Sequence, residues 1–211
     1  LGLSIALIIN DARARVFGTL NKALMLLPWA VPPIANGLMW FYIYNPSFGY
    51  LNVILYKLGL IDQFMQFAGN PKLALFSVVV AFMWRVTPFS VLLFHAALQG
   101  IPEDLYDAAK VDGAGALARF RFITFPLIRS TLAIVLVLRT AFAFMVFDEI
   151  FAITAGGPGD RTWVASWYTY QHAFSYLEIG VGAAAAYVMA LVIAIITVTY
   201  VLVVYRRVEY A

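Results

Sequence analysis

Residues 103–126 of this 211-residue chain read EDLYDAAKVDGAGALARFRFITFP, a stretch of mixed charge between two long apolar segments. Pro102 suits the first position of a helix, and Glu103 and Asp104 follow in the first turn, where the helix dipole favours negative charge. Gly113 can adopt the left-handed conformation that ends many helices. The stretch therefore predicts a short helix that stops at this glycine.

A second short helix is expected after the glycine, with Pro126 as its end because proline cannot continue a helical hydrogen-bond ladder. Its apolar residues recur at helical spacing: Leu117, Phe120 and Ile123. Alanines 108 and 109 on the first helix are small enough to let another protein approach closely. Two short helices joined at a glycine, with an alanine face, are the predicted structure of this loop.

The composition is that of a membrane protein. Hydrophobic residues make up 64% of the chain and charged residues 12%, whereas soluble domains have roughly 45–50% and about 25%. The absence of cysteine excludes disulfides and thiolate metal sites, and two histidines are too few for a metal cluster. The chain contains no phosphate-binding loop of the Walker type and no nucleophile elbow, so an enzyme is not expected.

Four segments are long enough to cross a bilayer, which needs about 20 apolar residues: 16–44, 72–98, 127–153 and 179–204. Prolines in the first two predict kinks, and residues 45–71 and 154–178 are expected to form loops, the former with an amphipathic piece at the interface. The apolar run 1–9 is expected to be the tail of a span whose beginning is missing. The predicted fold is all-α: a polytopic transmembrane bundle with kinked helices and a cytoplasmic two-helix loop.

Positively charged residues favour the cytoplasmic side of membrane proteins. Placing residues 103–126 inside the cell puts nine lysines and arginines inside and three outside. The inner set is Arg13, Arg15, Lys22, Lys110, Arg119, Arg121, Arg129, Arg206 and Arg207, and the outer set is Lys57, Lys72 and Arg161.

The spacing within 103–126 resembles the EAA loop of ABC-importer permeases. That pattern is Glu-Ala-Ala, three residues, Gly, nine residues and Ile-x-Leu-Pro, and the matching residues here are Asp107-Ala108-Ala109, Gly113 and Ile123-Thr124-Phe125-Pro126. Asp107 stands where glutamate is usual and Phe125 where leucine is usual, so charge and apolar character are kept.

The resemblance implies a single permease domain, 1–211, in which residues 102–126 couple to a separate ATPase. The alanines would allow a close contact, Asp107 would meet a basic group and Gly113 would permit the turn. The residues expected to take part in coupling are Glu103, Asp107, Ala108, Ala109, Asp112, Gly113, Ile123 and Pro126. ATP and Mg would be bound by the ATPase, with no cofactor on this chain.

Further segments are similar to the carbohydrate-type branch of these permeases: 26–33, 84–89, 139–149 and 156–158. The branch implies a second, different permease subunit, two ATPase subunits and an extracytoplasmic binding protein in the inner membrane of a prokaryote. Its solutes are typically oligosaccharides, polyols or glycerol phosphates. Gly156, Gly157 and Pro158 would contact the binding protein outside the cell.

Charged residues within the spans are the candidates for a solute pathway, because an arginine at mid-membrane costs about 2.5–3.5 kcal/mol on insertion scales. Arg85 and Arg139 lie deep, and Asp148 and Glu149 are expected about 13 Å further along the helix of Arg139. One hypothesis is a polar cavity for a hydroxyl-rich solute, lined by these charges and by Trp84, Phe142 and Phe147. The other is that the arginines form structural ion pairs.

Two other classes of membrane protein remain open on the sequence alone. An ATP-independent secondary carrier or channel would explain the charges within the membrane but has no use for the alanine-faced loop. A purely structural or assembly subunit is the third class, and the two arginines within the spans argue against it. A requirement for an ATPase separates the importer from both.

Overall fold

The computed structural model describes residues 1–10 and 19–205, and within them it contains helices and no strand. The helices are α1 (Gly2–Asn10), α2 (Thr19–Ala30), α3 (Pro33–Ile43), α4 (Tyr50–Lys57), α5 (Ala74–Gln99), α6 (Glu103–Val111), α7 (Ala116–Arg119), α8 (Phe125–Phe144), α9 (Asp148–Ile153), α10 (Ala165–Tyr170) and α11 (Ile179–Tyr205). Two π-helical turns, Phe120–Thr124 and Gln171–Ser175, join α7 to α8 and extend α10. The all-α prediction is confirmed.

Three stretches of helix are long and apolar enough to cross a membrane: Ala74–Gln99, Ala116–Phe144 and Ile179–Val203. Residues 16–18 of the predicted kinked helix 16–44 lie outside the described residues. In the described part a single helix is wrong, because Leu24–Ala30 and Pro33–Ile43 are separate helices bent by 105°. The break lies at Pro32, which directly precedes Pro33. A residue that precedes proline avoids the helical conformation, and the ψ of Pro32 is 140°. The described chain therefore has three spans, or four if this bent pair counts as one.

The prediction of one helix over 127–153 is also wrong. Helix α8 ends at Phe144 and a separate helix, α9, begins at Asp148. The acidic pair Asp148 and Glu149 lies in the first turn of α9, where the helix dipole favours it. The Ser166 hydroxyl donates a hydrogen bond to the carbonyl oxygen of Val146 in the break, so this part-buried backbone group has a partner.

The first half of the loop follows the prediction. Helix α6 ends at Val111, and Gly113, two residues further along, has a φ of +77°. The N–H of Ala114 donates to the carbonyl of Ala109 at 2.8 Å, and that of Gly113 donates to Lys110 at 3.1 Å. This pair of bonds is the Schellman motif, in which a left-handed glycine satisfies the last carbonyls of a helix.

Pro126, however, does not end the second helix. Helix α7 continues through the π-helical turn into α8, and Pro126 lies in the first turn of α8. The N–H of Phe125 bonds the carbonyl of Phe120, five residues earlier. Proline is tolerated here because the backbone hydrogen bonds already change from the α-helical to the π-helical spacing in the turn before it.

Two segments expected to be loops contain helices. Residues 154–178 include α10 and the π turn that follows it, so the expectation of a simple loop is wrong. Residues 45–71 include α4, which carries the amphipathic piece as expected, with Ile54 exposed and Asn52 buried.

The chain folds as two units: one of Leu1–Leu27, Thr87–Ala141 and Ala194–Ala211, the other of Pro28–Val86 and Phe142–Ile193. We call these the first and the second unit. The core of the first unit consists of Ala6, Val91, Phe94, Leu98, Ile101, Ile128 and Val135. The core of the second consists of Tyr44, Val78, Ala81, Ile150, Ile153 and Trp167.

Replacement of Asn52 by alanine is expected to destabilise the second unit by about 2–3 kcal/mol, because it leaves buried backbone groups unsatisfied. The Asn52 amide donates to the carbonyls of Asn45 and Met65 at 3.2 and 3.0 Å, and accepts from the Met65 N–H at 2.8 Å. The apparent melting temperature in detergent measures the effect. Asn70→Ala is the control, since the Asn70 side chain accepts one exposed bond from Lys72. Equal melting temperatures for the two variants would contradict the prediction.

Candidate functional site

A buried polar network lies in the second unit. The Arg85 Nε donates to Oε1 of Glu149 at 2.8 Å, and the Asn36 amide donates to the same oxygen at 3.2 Å. The Asn36 amide also lies 3.2 Å from the carbonyl oxygen of Ala81. The network therefore joins α3, α5 and α9.

Glu149 is 1% exposed and Asn36 is fully buried. A buried carboxylate is stable only when it is paired and hydrogen-bonded, and Arg85 and Asn36 provide both. The Arg85 guanidinium also lies 5.8 Å from the ring centroid of Phe82.

A glycine lets the helices of this network approach. A Cβ on Gly37 would contact Ala152 and lie 3.1 Å from the carbonyl oxygen of Asp148. Helix α3 therefore packs against α9 by its backbone, one residue after Asn36. The close contact places the Asn36 amide within reach of the Glu149 carboxylate.

Arg139 lies in the first unit. Its Nε donates to the Ser90 hydroxyl at 2.7 Å, and its guanidinium lies 5.6 Å from the ring centroid of Phe89. Both partners belong to α5. Sequence reasoning missed Ser90, which carries no signal because serines in apolar helices usually bond their own backbone.

The ion pair that the structural hypothesis expects is thus present for Arg85. The structure brings Arg85 and Glu149 together, and it separates Asp148 and Glu149 from the helix of Arg139. The aromatic candidates have different surroundings. Phe147 packs among Trp167 and Tyr170, with ring centroids 5.6 and 4.6 Å away, whereas Trp84 and Phe142 are exposed. A solute pathway along these residues stays a prediction.

Helix α6 presents most of the predicted coupling residues to solvent. It has no buried residue, and the predicted residues that are exposed are Glu103, Asp107, Ala108, Asp112, Gly113 and Pro126. Ala109 and Ile123 are half-buried. Asp107 forms an exposed ion pair with Lys110 of the same helix, at 2.6 Å. Val111 is 88% exposed and Leu117 is 79% exposed, so the loop also carries an apolar surface.

The turn at 156–159 is held by threonine hydroxyls and indole rings. The Thr162 hydroxyl donates to the carbonyl oxygen of Gly157 at 3.0 Å and shares a hydrogen bond of 2.8 Å with Thr154. Gly156 is buried, has a φ of +86°, and a Cβ there would collide with the Trp167 indole. Gly156 therefore shapes the turn, while Gly157 and Pro158 are half-buried.

The family model described as "Binding-protein-dependent transport system inner membrane component" matches residues 1–210. The trehalose/maltose transport system permease protein MalF of Thermococcus litoralis is 41% identical over 95% of this chain and 66% of its own length. The sulfoquinovosyl glycerol transport system permease protein SmoG of Agrobacterium fabrum is 35% identical over 83% of this chain and 56% of its own length. The chain thus spans less than two thirds of each of these relatives.

The sn-glycerol-3-phosphate transport system permease protein UgpA of Agrobacterium fabrum is 34% identical over 99% of this chain and 71% of its own length. A crystal structure of a bacterial ABC transporter involved in the import of the acidic polysaccharide alginate has a TM-score of 0.84 at 24% identity, over 97% of this chain and 71% of that one. A structure of the alginate transporter in complex with its alginate pentasaccharide-bound periplasmic protein has a TM-score of 0.82, also at 24% identity, over 94% of this chain and 69% of that one. These two likenesses show the permease fold.

Arg85→Met is expected to destabilise the protein by about 3–5 kcal/mol, because it leaves the buried Glu149 carboxylate without its cation. The double variant Arg85→Met/Glu149→Leu should recover most of this loss, since it buries neither charge. Arg161→Met, at an exposed position, is the control and should leave the apparent melting temperature in detergent unchanged. A double variant as unstable as Arg85→Met alone would show that the ion pair does not hold these helices.

Proposed function

The chain belongs to the binding-protein-dependent transport system inner membrane components, and from this membership we propose that it is a permease subunit of an ATP-driven ABC importer. In this proposal it forms half of a translocation path, and a second permease forms the other half. Two ATPase subunits bind ATP and Mg, and an extracytoplasmic binding protein delivers the solute. The complex lies in the cytoplasmic membrane of a prokaryote. The relatives are permease proteins of transport systems and not enzymes.

The observation that carries the coupling proposal is the exposed face of α6. The helix has the loop spacing of the family and no buried residue, and Val111 at its end is almost fully exposed. Apolar side chains on an exposed helix favour a protein partner. Ala108, one helical turn before Val111, would allow the ATPase to approach the backbone of α6 closely. Closure of the ATPase dimer would then move the helix.

The proposed solute is a molecule with several hydroxyl groups, such as an oligosaccharide, a polyol or a glycerol phosphate. The relatives are named as permeases for trehalose or maltose, sulfoquinovosyl glycerol and glycerol 3-phosphate, which share this chemistry. Exposed Trp84 and Phe142 provide apolar faces on which sugar rings can stack. Asp148 of the second unit would contribute hydrogen bonds to hydroxyl or phosphate groups, and Arg139, in the first unit, would do so at its own position.

The turn at 156–159 is the proposed contact for the binding protein. Thr162 and the two indoles at Gly156 give the turn a fixed shape, which reduces the entropy lost when a partner docks. Gly157, Pro158 and exposed Gly159 would supply the contacting backbone.

Gly113→Pro is expected to reduce the ATPase that co-purifies with the tagged chain by at least about tenfold, because proline cannot adopt a positive φ. It also removes the N–H that Gly113 donates to Lys110. The experiment expresses the chain in its native host, purifies it in detergent and measures ATP turnover and the bound ATPase polypeptide. Gly115→Pro is a matched control, since the φ of Gly115 is −66° and proline requires about −65°.

Wild type and Gly115→Pro should retain the ATPase. A folded wild-type chain that purifies without any ATPase would refute the importer and favour a carrier or channel that works alone. ATP-independent uptake by the chain alone in liposomes would then establish that alternative. Retention of ATPase by Gly113→Pro would refute the role of α6 while leaving the importer in place.

A further inference from the structure

Tyr106 attaches α6 to the remainder of the first unit. Every other residue of α6 except Ala109 is exposed, whereas Tyr106 is half-buried and packs against the core of the first unit. Its hydroxyl shares a hydrogen bond of 2.9 Å with the hydroxyl of Thr124. The side chain therefore provides both an apolar and a directional contact between α6 and the segment that leads into α8.

The position of Thr124 is fixed by its burial and by its place at the beginning of a long helix. Thr124 is 5% exposed and is the last residue of the π-helical turn, directly before α8. One helical turn further along, Ile128 is fully buried in the core. The Thr124 hydroxyl thus moves with the beginning of α8.

A cavity of about 940 Å³ lies beside this bond in the first unit. Its wall includes Tyr106, Glu103 and Lys110 of α6, together with Thr124. Among residues 1–10 and 19–205, nothing packs closely against this side of helix α6. Where close packing is absent, the orientation of a helix depends on the few directional contacts that remain.

We propose that the hydrogen bond between Tyr106 and Thr124 makes α6 and the beginning of α8 move as one body, so that Tyr106 is the positioning residue that transmits ATPase closure to the transmembrane helix. The inference rests on the proposed coupling function of α6. It assigns a role to Tyr106 and Thr124, which are not among the residues that the resemblance implies for coupling. Without the bond, α6 could tilt into the cavity when the ATPase moves it, and α8 would follow less far.

The test compares Tyr106→Phe and Thr124→Val with wild type in the complete transporter, reconstituted in liposomes with the second permease, the ATPase and the binding protein. The measured quantity is solute taken up per ATP hydrolysed, with radiolabelled trehalose, maltose and glycerol 3-phosphate as probes. Each variant should lower this ratio about fivefold, the effect of one hydrogen bond, while the complex assembles and ATP hydrolysis continues. Both variants keep the size of the side chain, so packing is preserved.

Tyr200→Phe is the matched control. Tyr200 and Thr140 form another pair of hydroxyls in the first unit, with the oxygens 3.5 Å apart, between α8 and α11. Removal of this hydroxyl should leave uptake per ATP unchanged. The double variant Tyr106→Phe/Thr124→Val should be no worse than either single variant, because both remove the same bond.

A spectroscopic measurement gives a readout that does not depend on the solute. The chain has no cysteine, so Asp104→Cys and Ile134→Cys, both at exposed positions of the first unit, can carry spin labels in a complex whose partner subunits lack cysteine. The distance between the labels should stay constant on addition of ATP and Mg. In the Tyr106→Phe background it should shift or broaden.

The possible failures are distinguishable. A wild-type complex without ATPase activity refutes the proposed function itself. A wild-type complex that couples normally, with Tyr106→Phe and Thr124→Val giving the same uptake per ATP, refutes the role of the hydrogen bond alone. If both variants fail to assemble while Tyr200→Phe assembles, the bond is a folding contact and the proposal is overturned.

Discussion

The second unit depends on one buried carboxylate. Glu149 is almost fully buried in a chain with few charged residues, and a buried carboxylate requires a cation and hydrogen-bond donors as partners. Arg85 and Asn36 meet this requirement from two other helices. The bonds of Arg85 and Asn36 to Glu149 therefore fix the positions of α3, α5 and α9 in addition to apolar packing, which is non-directional.

At each break in a helix, backbone groups lose their regular hydrogen-bond partners and bond to other groups. In an apolar surrounding, an interrupted helix requires replacement partners for its backbone groups. The structure provides them locally: the Ser166 hydroxyl at the break before α9, the Schellman bonds at Gly113 and the five-residue bond at Phe125. Each break therefore has a fixed geometry.

The sequence predicts the parts that depend on local rules and misses those that depend on distant partners. The stop at Gly113 follows from the left-handed preference of glycine, and the spans at α5 and α11 follow from length and hydropathy. The sequence does not predict the break before α9, because residues 145–147 are apolar or aromatic. The hydroxyl that bonds the Val146 carbonyl there belongs to Ser166, twenty residues away. The sequence also does not determine the pairing of Arg85 with Glu149, because spacing along the chain does not show which helices lie side by side.

Pro126 shows how a local rule fails when a second local feature intervenes. Proline ends a regular helix because it lacks an N–H and collides with the preceding turn, yet here the preceding turn is π-helical and already wider. The same turn ends at Thr124, beside the cavity, and presents its hydroxyl to Tyr106. One irregular turn therefore lets the loop run into the span without a stop and also provides the buried partner for α6. Continuity of the backbone from α7 to α8 makes that partner rigid, and the proposed coupling of α6 to an ATPase would require this rigidity.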